Sequence, residues 1–150
     1  MKYFSYGSNL SSKRMSERNV DVLDKKSGIL EGYKFTINKK SYKDPTLGFA
    51  NIIKDDNSFV EGIIYDISDE SISILDSYEG YPKHYYKEIL PIKVNNEYID
   101  CVIYIANEKW ISKNELLTTL EYKNYILDGK DFLTDEYYNM LNEKIKIKNI

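Results

Sequence analysis

Two short stretches of this chain carry residue types at spacings that could do chemistry. The first is Tyr3-Phe4-Ser5-Tyr6-Gly7-Ser8-Asn9-Leu10, an aromatic run that turns a Gly-Ser-Asn corner into the polar segment Ser11-Ser12-Lys13-Arg14-Met15. It reads as a buried strand, a tight turn and a helix start. Gly7 tolerates positive φ and lets another group come close to the backbone, and Ser8, Asn9 and Ser11 are capping residue types. Free N–H groups at such a helix start favour an anion. The plain alternative is a strand-to-helix turn that binds nothing.

The second stretch is Leu75-Asp76-Ser77-Tyr78-Glu79-Gly80-Tyr81-Pro82-Lys83-His84-Tyr85-Tyr86. Glu79 falls at the C-terminal end of an expected helix, with Asp76 one turn earlier and tyrosines on both sides. The negative end of the helix dipole, a like charge and a partly desolvated pocket would each raise its carboxyl pKa from about 4.3 toward that of a base working near neutrality. The alternative is an exposed Glu79 beside a simple helix stop. His84, the one histidine, has no metal-ligating neighbour and reads as a surface residue. No histidine–cysteine–carboxylate cluster exists, so neither a bound metal nor another cofactor is expected. Cys101 reads as a buried small hydrophobe, since no helix start or basic neighbour activates it.

The rest of the chain sets the frame for these stretches. Its 150 residues suit one domain, 1–150, with a proper core. A net charge of −3 and scattered lysines argue against a nucleic-acid partner. No apolar run approaches the roughly 18–20 residues of a membrane span, and no signal-peptide core is present. A single cysteine cannot form an internal disulfide, which suits a reducing cytoplasm. The oligomeric state is left open. Fifteen tyrosines suit a polar pocket, or equally half-buried strands.

The elements that must position the two stretches follow from periodicity and capping. A first helix is expected over about 10–18. Tyr33, Phe35 and Ile37 alternate with polar residues within 28–40, the pattern of a half-buried strand, and 39–45 reads as a solvated loop. Strands over 47–54 and 59–67 would form a hairpin around Asp55-Asp56-Asn57, with Asn51 facing solvent. Ser68 would cap a helix with Asp69 and Glu70 in its first turn, Ile72, Ile74, Leu75 and Tyr78 inward, and Gly80 as its stop. Strands at 85–94 and 97–106 flank Asn95-Asn96. Helices are expected over 116–127, capped by Thr118 or Thr119 and closed by Gly129, and over 134–146, with a fraying tail at 145–148. Five to seven strands with three or four outer helices make an α+β fold.

Taken together, the two stretches resemble the γ-glutamylcyclotransferase family. The likeness rests on Tyr3 to Leu10 with Arg14, Met15 and Arg18, on Val60-Glu61-Gly62-Ile63-Ile64-Tyr65 as a central strand, and on Leu75-Asp76 with Glu79-Gly80, Pro82 and Tyr85. Tyr122, Gly129, Tyr137 and Leu141 resemble the closing helices, so it covers nearly the whole chain. The resemblance implies a mixed, closed or partly open β-barrel with flanking helices, and release of an amine or amino acid from a small γ-glutamyl substrate as the glutamyl part cyclises to 5-oxoproline. It implies Glu79 as acid/base, Tyr6, Gly7, Ser8, Asn9 and Leu10 around the glutamyl end, and Tyr85 and Tyr122 against the substrate. Spacing leaves Tyr86 as a rival to Tyr85, and Tyr6, Tyr85 and Tyr122 as three possible oxyanion donors. Thr118-Thr119 stands where the family often has Pro-Ser. Two other functions fit: removal of a γ-glutamyl protecting group from a biosynthetic intermediate, and non-catalytic binding of a small anion on the same scaffold. Glu79 favours an enzyme, because a binding module needs no carboxylate beside an anion pocket.

Overall fold

The computed structural model describes residues 1–149. Five strands close into a mixed barrel: β1 (Lys2–Ser5), β2 (Val22–Lys40), β3 (Gly48–Ile67), β4 (Tyr85–Val94) and β5 (Glu97–Ala106). Their order round the barrel is β1-β3-β2-β4-β5, and the ring shuts where Tyr3 pairs in parallel with Val102. Four helices flank it: α1 (Ser12–Glu17), α2 (Ser71–Glu79), α3 (Leu120–Leu127) and α4 (Asp135–Lys144). The barrel is therefore of the closed kind, with strand and helix numbers inside the ranges the sequence sets.

The capping residues do what their chemistry requires. Ser11 Oγ accepts from Arg14 N, Thr119 Oγ1 from Tyr122 N and Thr134 Oγ1 from Tyr137 N. Glu61, buried on β3, accepts from both N and Oγ1 of Thr134 and so pins the start of α4 to the barrel. At the end of α2, Gly80 takes φ 64, the left-handed geometry that glycine accepts without strain. α2 begins later than expected, leaving Asp69 and Glu70 in the turn before it. Leu75 faces the core while Tyr78 is exposed under Arg18.

The long ribbon of β2 and β3 departs from expectation. Residues 48–67 form one strand of 20 residues paired along β2, not two strands of a hairpin. Between the pairs Tyr33↔Lys54 and Glu31↔Phe59 the register slips, and the slack is the Asp55–Ser58 stretch opposite Gly32. Asp55 accepts from Asn57 N and Ser58 Oγ, so its turn chemistry is satisfied locally in a bulge. Strand pairing on both sides outweighs the local turn signal. Lys39, assigned by sequence to a solvated loop, lies within the pairing of β2, one residue before its end, and is buried.

Two further residues are placed differently from expectation. Asn51 is 0% exposed; its side-chain amide donates to Asn38 Oδ1 and its Oδ1 accepts from Ala106 N, which satisfies polar groups inside the barrel. The 145–148 tail is anchored, with Ile145 in the core and Ile147 bridging in parallel to Thr118.

Barrel closure needs one glycine. A Cβ on Gly62 would lie 2.1 Å from Ser5 O and 2.8 Å from the Phe4 ring, both on β1. Gly62→Ala should therefore destabilise the fold by at least the about 1–3 kcal/mol typical of overpacking, read as a lower urea midpoint at unchanged slope.

Candidate active site

The two chemistry-bearing stretches meet. A cavity of about 480 Å³ lies at one end of the barrel, and Tyr6, Gly7, Ser8, Asn9, Glu79, Tyr85 and Tyr122 all line it. The Gly-Ser-Asn corner is a 3-10 turn, Ser8–Leu10, between β1 and α1. Gly7 has φ −114, so its role is not left-handed geometry. It makes room: a Cβ there would stand 3.0 Å from Ala50 Cβ and 3.6 Å from Tyr122 OH. The first N–H groups of such a turn have no intrahelical partner.

Leu10 is the exception among the expected site residues. Its N–H is spent on Gly7 O, and its side chain packs in the core near Gly129 rather than on the cavity wall. Gly129 itself has φ −77, and Asp128 caps α3, so this glycine serves close approach to Leu10 and not a left-handed stop. Of the two rival tyrosines, Tyr85 faces the cavity and Tyr86 does not.

Asn9 holds the corner in place. Its amide donates to Tyr3 OH at 3.0 Å, its Oδ1 accepts from Arg18 Nη1 at 3.0 Å, and its carbonyl accepts from Tyr65 OH at 2.7 Å. Arg18 in turn stands 4.0 Å from Glu79 Oε1. Glu79, the last residue of α2, keeps only 19% of its side-chain exposure. Burial raises its carboxyl above the usual range, against the pull of Arg18, Arg14 and Lys39. The like charge expected from Asp76 plays no part. That carboxylate is occupied by Tyr104 OH at 2.6 Å and Lys87 Nζ at 3.0 Å and is not on the cavity wall.

Hydrogen-bond accounting separates the three tyrosine hydroxyls. Tyr6 OH donates to Tyr104 O, and Tyr85 OH donates to Ala50 O at 2.7 Å. Tyr122 OH instead accepts from Ala50 N at 2.9 Å, so its own proton has no acceptor among the described residues. Burial pushes its hydroxyl up to about 12, tempered by the Ala50 N–H. At neutral pH it is a protonated donor facing the cavity.

Sequence reasoning missed the cations. Arg14, Arg18, Lys39 and Lys43 line the cavity, and His84 lies at its rim rather than free on the surface. His84 stacks on Trp110 at 4.4 Å and accepts or shares a proton with Lys39 Nζ at 2.7 Å. One signal for Lys39 was present, since it continues the Phe35, Ile37 alternation in sequence; a register shift between Ile37 and Lys39 then sets its final placement on the cavity wall. No helix in the described residues is long and apolar enough to cross a membrane.

The family model for gamma-glutamyl cyclotransferase, AIG2-like proteins matches residues 3–127, and the chain belongs to that family. Among curated proteins it is similar to the gamma-glutamylcyclotransferase and putative RNase of Methanocaldococcus jannaschii, 28% identical over 86 residues. That match covers 57% of this chain and 36% of the relative, so it spans about a third of the relative's length. In fold the chain resembles a solved gamma-glutamyl cyclotransferase, with TM-score 0.82 at 21% identity over 100% of this chain and 90% of the other. It also resembles YkqA of Bacillus subtilis, with TM-score 0.85 at 21% identity over 99% of this chain and 56% of that one.

The buried carboxylate has a measurable cost. A carboxyl whose folded pKa lies above its unfolded value binds more protons when folded, so stability falls as pH rises through that window. Glu79→Gln removes the penalty: its Tm should exceed that of the parent at pH 7, and the gap should close below pH 4, where both states of the parent are protonated.

Proposed function

We propose that the protein is a γ-glutamyl cyclotransferase that releases an amine or amino acid from a γ-glutamyl substrate and leaves 5-oxoproline. The observation that carries this reading is the meeting, in one cavity, of the Gly7–Asn9 turn and the half-buried Glu79. The substrate brings its own nucleophile, the α-amine, which reaches its γ-carbonyl through a five-membered ring. No enzyme nucleophile is needed. The chain must hold the bent conformer, and such positioning can contribute up to about 7–11 kcal/mol in well-oriented systems.

In this reading the N–H groups of Gly7, Ser8 and Asn9 receive the α-carboxylate. Glu79 takes a proton from the α-ammonium, the freed amine attacks the γ-carbon, and Glu79 returns the proton to the leaving nitrogen as its bond to carbon breaks; the second proton on the ring nitrogen then passes through Glu79 to the departing amine, which leaves as an ammonium. A pKa raised by burial suits one group for both transfers. Tyr122 donates to the developing oxyanion, because Tyr6 and Tyr85 have already committed their protons to backbone carbonyls. Tyr85 then serves as wall and as brace for Ala50.

The test is 5-oxoproline release from γ-glutamyl amino acids, γ-glutamyl-ε-lysine and glutathione. Glu79→Gln should lose about 10²–10⁴-fold in kcat, and Tyr122→Phe about 10²–10³-fold with little change in substrate affinity. Activity should rise with pH as Glu79 deprotonates, with that limb above pH 4.5 because the carboxyl is shifted upward. Retained turnover in Glu79→Gln would remove the residue from the mechanism.

A further inference from the structure

Lys39 is unusual for a lysine. It is 4% exposed, its ammonium lies over the rings of Trp110, Phe49 and Tyr85 at 4.9, 5.6 and 5.9 Å, and its only hydrogen-bond partner is His84 Nδ1. Among the described residues no carboxylate pairs with it. A buried ammonium is costly unless it is paired, and this one keeps N–H donors unspent beside the cavity.

The surrounding charge points the same way. Four cations line the cavity, Arg14, Arg18, Lys39 and Lys43, against one carboxylate, Glu79. A γ-glutamyl group brings an α-carboxylate and an α-ammonium, which cancel, so a neutral leaving amine would leave the excess unmatched. His84, which stacks on Trp110, lines the cavity beside Lys39.

We propose that Lys39, steadied by His84 and the three rings, is a specificity residue that binds a carboxylate carried by the leaving amine. The preferred substrates are then γ-glutamyl amino acids rather than simple γ-glutamyl alkylamines. The proposal rests on the cyclotransferase reading for the pose of the glutamyl end. Lys39 takes no part in bond making; it adds an ion pair on the leaving side. Burial brings the ammonium down to about 8, opposed by Glu79, so it is charged at neutral pH.

The test compares γ-glutamylalanine with N-ethyl-γ-glutamine, which differ by that one carboxylate, in calorimetric titrations of the Glu79→Gln protein at pH 7. With Lys39 in place, γ-glutamylalanine should bind about 10- to 100-fold tighter. Lys39→Met, added to the same protein, should bring the two affinities to within about twofold by weakening γ-glutamylalanine alone, and Lys39→Arg should restore part of the preference. Equal binding of the two ligands with Lys39 present, which needs no second variant to be folded, would overturn the proposal. So would a preference that survives Lys39→Met, or binding of neither ligand. Should the unsubstituted protein make no 5-oxoproline from either ligand while the binding ratio holds, the cyclotransferase reading fails and the carboxylate subsite stands.

Discussion

The site depends on the way Asn9 is held. Three hydrogen bonds reach one buried residue, from Tyr65 on β3, to Tyr3 on β1 and from Arg18 just past α1. A turn with free N–H groups would ordinarily be free to rearrange toward water. Here it is tied to two neighbouring strands of a closed sheet, and satisfied polar groups of this kind make such a corner rigid. The same side chain fixes Arg18, and through it the cation that faces Glu79. Asn9 thus holds the turn and the cation together, and the cation stands 4.0 Å from the carboxylate that α2 presents.

Burial at the cavity wall supplies the second requirement, a partly desolvated place for a charged group. Glu79 hangs from the end of α2, where the helix dipole is unfavourable to it, and burial adds to the cost. A protein selected for stability alone would place a neutral residue there. The neighbouring tyrosines show the complementary economy. Tyr6, Tyr65 and Tyr85 donate to backbone carbonyls, whereas Tyr122, on the cavity wall, accepts from Ala50 N and keeps its own proton, as Tyr3 does where it accepts from Asn9.

Much of this was legible in the sequence because it is local. Caps at Ser11 and Thr119, the left-handed stop at Gly80, and the hairpin at Asn95-Asn96 each depend on residues within a turn of one another. What was not legible is settled by partners far along the chain. The Asp55–Asn57 turn signal loses to the pairing of β3 with β2, and Asn51 turns inward because Ala106 N, 55 residues away, needs an acceptor. His84 is drawn to the cavity by Trp110 and Lys39, and Leu10 leaves it because its N–H closes the turn onto Gly7 O. The candidate base and the cradle could be named from residue types. The ring of cations could not, since lysines and arginines look alike until the barrel folds them inward.

The clasp between Thr118 and the segment around Ile147 has a bearing on the cavity. Thr118 N donates to Lys146 O and Lys148 N donates to Thr118 O, just ahead of the helix that carries Tyr122. Strands β1 to β5 are all complete by Ala106. The helix that carries Tyr122 is thus fastened at its start by a segment that lies beyond every barrel strand in the chain, so the wall of the cavity is braced from outside the sheet.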